Sequence, residues 1–497
     1  MIKLNKLQIY AALAIFALVE ALSFTGFMVP ALNQVLAAVL AVAAVFLTIY
    51  ALEYGVVLVL GELFIGSMGH LFYLEICGFQ LPVRILLWAA VMAVFLVRLA
   101  GQLIKTGKRS PYWLAWSNFS GRKYFSLLLI FVLFGLLNGW WRGHSPVAIF
   151  ADFNAWLYFF FLWPLVVVYG DGAPAKISRL QSLFLAAAIW LSAKTLLLLF
   201  VFTHNSAWSP EIYSWLRRTL SGEMTPTKTG WPRVFIQGQI YSAIAFLAVF
   251  WQQNLKLRFR DFYRQRNLSA WLLSACFLSA ILISFSRSFW VALVAAVSLS
   301  LLALWRRQSF GKMLSAAIWL VVSAALSFAL IYLVVAFPYI QRPSSDFSSN
   351  FLARVSAGSG EAAVASRWSL LPVLWQEINR EPFLGQGYGA TVTYLSRDPR
   401  LLEKNPSGEY TTYAFEWGYL DLWLKLGLLG LLAYLWLLGR LVLAALRQPE
   451  ETALYPALAA GLFFLALTHV FTPYLNHPLG IGFILLSSCL IWSNRVY

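Results

Sequence analysis

Apolar runs of roughly 17–25 residues recur along this sequence from end to end, each long enough to cross a hydrocarbon core of about 30 Å as a helix. No other feature restricts the fold so strongly. A closed barrel would instead show alternating segments of about ten residues, and these runs do not alternate. With 61% of its 497 residues hydrophobic and 11% charged, the chain also lacks the polar surface that a water-soluble globule would need. The expected fold is all-α: a polytopic membrane helical bundle.

Spans are expected near 9–28, 33–51, 54–68, 83–103, 124–139, 153–170, 181–202, 235–251, 269–284, 289–304, 313–337, 418–438, 455–472 and 479–493, about 14 in all. The net charge of +17 could suggest a nucleic-acid partner, but the basic residues are scattered through short loops and form no continuous patch. They sort by topology instead. With the N-terminus inside, the inward loops hold Lys105, Lys108, Arg109, Arg122 and Lys123; Lys176 and Arg179; the cluster from Lys256 to Arg266; Arg306, Arg307 and Lys312; Arg440 and Arg447; and Arg495. The short outward loops 29–32 and 473–478 hold none. This parity puts both termini in the cytoplasm and divides the chain into an N-terminal transmembrane bundle (1–337), one large extracytoplasmic loop between the eleventh and twelfth spans (338–417), and C-terminal transmembrane helices (418–497). The expected span at 54–68 is short and holds Glu62; without it the parity fails, unless 69–82 re-enters.

Within the long loop, Trp368, Leu371, Trp375 and Ile378 share one helical face, which predicts an amphipathic helix lying on the membrane surface. Glycines 385, 387 and 389 then permit a tight turn that larger side chains would resist. Charges near hydrocarbon are costly and need a reason. On the outward side these are Arg233, Arg287, Arg354, Arg367 and Glu416. Singly, each arginine reads as a residue snorkelling to headgroups. Converging, their planar forks suit a diphosphate, which each can hold by two hydrogen bonds. Glu416 reads either as a partner for one of them or as a general base, with its pKa raised by an apolar wall or held ready near an arginine. Asp421 and Lys425, four apart on one helix, read as an internal ion pair.

Glu53, Glu62, Asp152 and His469 are polar residues in apolar surroundings, which either bond helix to helix or line an ion path. No HxxxH, HExxH or DxD pattern and no CxxC supports a metal site, and the absence of GxxxxGK[ST] argues against an ATP-driven machine. No cofactor is expected. The three cysteines, Cys77, Cys276 and Cys489, suggest no disulfide framework. Lys3 and Lys6 precede an apolar run without a small-x-small cleavage site, so that run is expected to remain as the first span.

Three motifs, in order, resemble those of the O-antigen ligase and O-antigen polymerase superfamily of bacterial envelope glycosyltransferases. They are Ser286-Arg287-Ser-Phe-Trp290; Arg367 followed by Pro382-Phe-Leu-Gly385-Gln-Gly387-Tyr-Gly389; and Gly427-Leu-Leu-Gly430. The likeness covers about Trp231 to the C-terminus; upstream only the hydropathy agrees. It implies a GT-C-like bundle in the bacterial inner membrane that takes a glycan from an undecaprenyl-diphosphate carrier and joins it to a glycan or lipid acceptor without a metal. Membrane lipids, and envelope assembly proteins, are the other partners it implies. Arg233, Arg287 and Arg367 match positions that hold the donor diphosphate in such enzymes. Where many ligases carry the His of an HN pair, Glu416 followed by Trp417 stands here, which favours a polymerase over a ligase. From another functional class, a lipid-linked oligosaccharide flippase or small-solute transporter would also have many spans. The large one-sided loop argues against it.

Overall fold

The structure is a computed structural model that describes residues 5–76, 78–226, 232–256, 268–338, 362–396, 402–403, 405–448 and 452–492, with the backbone alone for 226, 256 and 362–366. Every expected span falls on a helix. Among the described residues nine helices are long and apolar enough to cross a membrane: Lys6–Met28, Pro30–Tyr50, Val83–Arg109, Arg122–Trp141, Pro146–Tyr169, Pro174–Thr203, Arg287–Arg307, Phe310–Ala336 and Gly418–Leu446. Leu268–Ile283, Leu454–His469 and Pro478–Trp492 are apolar but shorter. The other two expected spans correspond to Leu52–Ile65 and Gln239–Lys256. At about 1.5 Å per residue the first reaches only about 21 Å, and the second carries Gln252, Gln253 and Asn254 near its C-terminal end.

The helices share one continuous apolar core, with Trp156, Trp319, Tyr241, Tyr388 and Tyr434 among its largest fully buried side chains. The helices Lys6–Met28 and Pro30–Tyr50 expose Leu18, Val35, Val39 and Phe46 on their outer faces, as a lipid-facing surface requires. Charges inside the bundle are paired. Lys194 Nζ sits 2.7 Å from Glu20, and Arg84 forks onto Glu62 at 2.9 and 3.1 Å. Glu53 meets Arg179 at 3.0 Å. His469 Nδ1 accepts from Leu475 N–H at 3.0 Å. Each of these bonds joins separate segments of the chain and fixes how they lie together.

Among the described residues three short antiparallel strand pairs decorate the bundle: Tyr73–Ile76 with Phe79–Pro82, Glu223–Pro226 with Pro232–Phe235, and Val392–Leu395 with Glu409–Thr412. The last belongs to a small separate core. In it Leu370, Leu374 and Ile378 of the Ala362–Arg380 helix pack on Ala390, Val392, Phe415 and Leu424. The core-packing stripe lies next to the face expected on the membrane surface and shares Ile378 with it. The buried stripe runs through Leu370, Leu374 and Ile378, while Trp368 and Trp375 flank it, half-exposed, and meet Trp417 and Trp423 edge-on at 5.4 and 5.5 Å.

Candidate functional site

The site is built on a break in a membrane helix. Within Gly418–Leu446 the chain leaves helical geometry at Gly427 (φ +70°, ψ 175°), which strands the polar backbone groups around it. Pro382-Phe-Leu-Gly-Gln-Gly-Tyr-Gly389 fills that gap. Gln386 N–H donates to Leu424 O (2.6 Å), Gly387 N–H to Lys425 O (3.2 Å), and Leu428 N–H to Pro382 O (2.8 Å). On its other side the turn meets the Arg122–Trp141 helix, where Tyr388 N–H donates to Gly135 O (3.1 Å) and Asn138 Nδ2 to Gly385 O (2.9 Å). Gly387 has φ +83°, and a Cβ there would lie 2.2 Å from Gly139 N, so glycine is required twice over. The glycine-rich motif is thus a backbone plug that ties the loop to two membrane helices.

Buried charge fastens the same junction. Lys425 Nζ bonds Asp152 and, at 2.6 Å, Asp421. Asp152 also accepts from Gly389 N–H at 3.1 Å, and Asp421 from Asn476 Nδ2. The expected Asp421–Lys425 pair is therefore part of a larger cluster whose third charge comes from the Pro146–Phe153 helix.

Above this junction lie the candidate residues. Arg367, in the Ala362–Arg380 helix, faces Glu416, which stands just before the Gly418 helix. Its Nε and Nη2 fork onto the carboxylate, with Nη2–Oε1 at 3.0 Å. Trp417 Nε1 donates to Arg367 O at 3.0 Å and pins the backbone beside the pair. Glu416 is 53% exposed and Arg367 37%, so the pair faces outward and no apolar wall encloses the carboxylate.

Arg287 opens the Arg287–Arg307 helix, with Ser286 as its N-cap. Phe285 before it takes φ +47°, which is strained for a bulky residue, and Ser284 Oγ accepts from Ser286 N–H at 3.2 Å to hold the turn. Arg233, on the strand Pro232–Phe235, donates from Nε to Ser284 O at 2.9 Å. Two arginines 54 positions apart in sequence thus share one turn, where the first-turn N–H groups of a helix add positive field. Ser288 Oγ lies 3.0 Å from Thr472 Oγ1, and the adjacent Phe471 packs on Trp417 at 5.6 Å. The connector 470–477 thereby links the Arg233–Arg287 turn to the Arg367–Glu416 pair. Arg354 lies outside the described residues.

Thr472 and Asn476 went unassigned in the sequence, and Asp152 was expected only as a helix-to-helix bond or part of an ion path, with no partner named. A signal existed for the first two: Thr472-Pro-Tyr-Leu-Asn476-His477 is a polar break between two apolar runs. None existed for pairing Asp152 with Lys425 across 273 positions.

Residues 272–435, about a third of the chain, match the family model described as O-antigen ligase. Over that segment the match supports a likeness to the O-antigen ligase/polymerase superfamily. The matched segment contains Arg287, Arg367, Glu416, the Pro382–Gly389 plug and the helix break at Gly427, while Arg233, Asp152 and the 470–477 connector lie outside it. A comparison with curated proteins and one with solved structures each found no match. The chain has the helices of a polytopic membrane protein, and the family-model match supports a function of O-antigen ligase or polymerase type.

Proposed function

We propose that this protein is an inverting glycosyltransferase that extends or transfers a polyprenyl-diphosphate-linked oligosaccharide at the outer face of the bacterial inner membrane. The observation that carries the reading is the linkage of the Arg233–Arg287 turn to the outward-facing Arg367–Glu416 pair through 470–477. In the reaction an acceptor hydroxyl attacks the anomeric carbon of the donor sugar. The bond from that carbon to the diphosphate oxygen breaks, and the leaving diphosphate keeps the electron pair. Arg233, Arg287 and Arg367 stabilise its growing charge, and Glu416 takes the hydroxyl proton. Single displacement inverts the anomeric centre.

Polymerase action is favoured over ligation because a carboxylate stands at the base position. The test is turnover of lipid-linked oligosaccharide by the purified protein, with the product sized and its acceptor end identified. Chain growth on a second donor marks a polymerase; transfer to a lipid A core marks a ligase. Arg367→Ala should abolish turnover, and normal polymerisation by that variant refutes the role. Glu416→Gln should lose turnover and retain donor binding.

A further inference from the structure

Arg367 and Glu416 neutralise each other. The guanidinium presents its Nε/Nη2 edge to the carboxylate, an edge that also suits two phosphate oxygens. Occupied in this way, the arginine offers little net charge to a diphosphate. Both carboxylate oxygens are taken up by the guanidinium, Oε2 by Nε and Oε1 by Nη2, so neither is presented to an acceptor hydroxyl.

The two partners differ in freedom. Arg367 sits on a helix packed through Leu370, Leu374 and Ile378, and its carbonyl is fixed by Trp417 Nε1. Glu416 precedes the Trp417 N-cap of the Gly418 helix, outside the helix itself, and its side chain is 53% exposed. An anion arriving at the fork therefore displaces the carboxylate and leaves the arginine in place.

Resting on the transferase reading above, we infer that Glu416 is a built-in competitor of the donor diphosphate for Arg367. The donor must win the fork before the base is free. One ion pair then imposes an order: donor first, acceptor activation second. With no donor bound, the carboxylate stays engaged and water is not activated at the site. The exposed position suits this use, since a surface pair is worth only up to about 1 kcal/mol and yields to a multiply charged ligand.

The experiment measures equilibrium binding of undecaprenyl diphosphate, which carries the diphosphate but no sugar to transfer, to the full-length protein in lipid nanodiscs. Glu416→Gln should bind it about five-fold more tightly than the unmodified protein, the fold-change equivalent to about 1 kcal/mol. In an Arg367→Ala background the same substitution should change affinity less than two-fold; Arg367→Gln serves if the alanine variant does not fold. Equal or weaker binding by Glu416→Gln overturns the competition and leaves the transferase reading standing. A gain that persists without Arg367 also overturns it, by showing a general charge effect. Failure of the unmodified protein to bind undecaprenyl diphosphate overturns the donor assignment, and the competition with it.

Discussion

Replacing Gly387 by alanine tests the plug directly. The residue has φ +83°, and the new Cβ would lie 2.2 Å from Gly139 N, 2.7 Å from Gly139 Cα and 2.8 Å from Gly135 O. All three are backbone atoms of the Arg122–Trp141 helix, so relief requires the helix or the turn to move. Left-handed backbone costs a residue with a Cβ about 1–2 kcal/mol. Overpacking adds about 1–3 kcal/mol, for a total of about 2–5 kcal/mol. Gly143→Ala separates the two terms, because Gly143 has a similar φ of +74° with no atom within 4 Å of a new Cβ. That control should lose only the first 1–2 kcal/mol or so. The assay is the midpoint of unfolding in detergent for both variants, with Gly387→Ala falling by several degrees more. The reciprocal Gly139→Ala, whose Cβ would meet Tyr388 O at 2.2 Å from ordinary helical backbone, should carry only the overpacking part, and the double variant should be less than additive. Equal midpoints for Gly387→Ala and Gly143→Ala would show that the turn does not seat against this helix.

Lys425→Met strands two buried carboxylates and should cost about 3–5 kcal/mol by the same unfolding assay, with Asp152→Asn in that background recovering part of the loss. The Arg142–Glu381 bridge is 3.1 Å long but 36% and 45% exposed, so Glu381→Ala should shift stability by less than about 1 kcal/mol. In a cysteine-free background, cysteine at position 143 should react with a membrane-impermeant maleimide in intact spheroplasts and cysteine at position 108 should not. The opposite pattern inverts the proposed orientation.

The sequence carried the helices because each apolar run is itself the signal. It carried the Asp421–Lys425 pair because four-residue spacing on a helix sets the contact. The plug was legible only as a turn. Nothing local distinguishes Gly427, where the helix breaks, from Gly430 or Gly439, since the break is stabilised by hydrogen-bond partners from residues 382–387, some 40 positions earlier. Trp368 and Trp375, expected on one outer face of their helix, stay half-exposed beside the buried stripe. Trp417 and Trp423 turn their N–H groups to backbone carbonyls, and aliphatic Leu370, Leu374 and Ile378 fill the core, a division that hydropathy does not register. Arg233 and Arg287 were visible as costly charges, but their common turn depends on a hairpin four residues long in each strand, too short to leave a periodic signal.

The connector 470–477 gives the arrangement its sharpest remaining test. Its Asn476 donates to Asp421 inside the buried cluster, and four residues earlier Thr472 bonds Ser288 beside Arg287. Asn476 thus anchors the connector to the Gly418 helix, which Glu416 precedes, while Thr472 ties it to the turn that holds two of the arginines. Asn476→Ala removes no group assigned to substrate, yet it frees the connector and leaves a buried carboxylate oxygen short of a donor, at about 1–3 kcal/mol. If the connector sets the spacing between the two arginine positions, binding of undecaprenyl diphosphate should weaken by about three- to ten-fold, and turnover at saturating donor should fall as well, because the displaced arginines also stabilise the charge that grows on the leaving diphosphate. Lost stability with unchanged affinity would mean that Asn476 only satisfies Asp421, and that the two arginine sites are spaced by the helices alone.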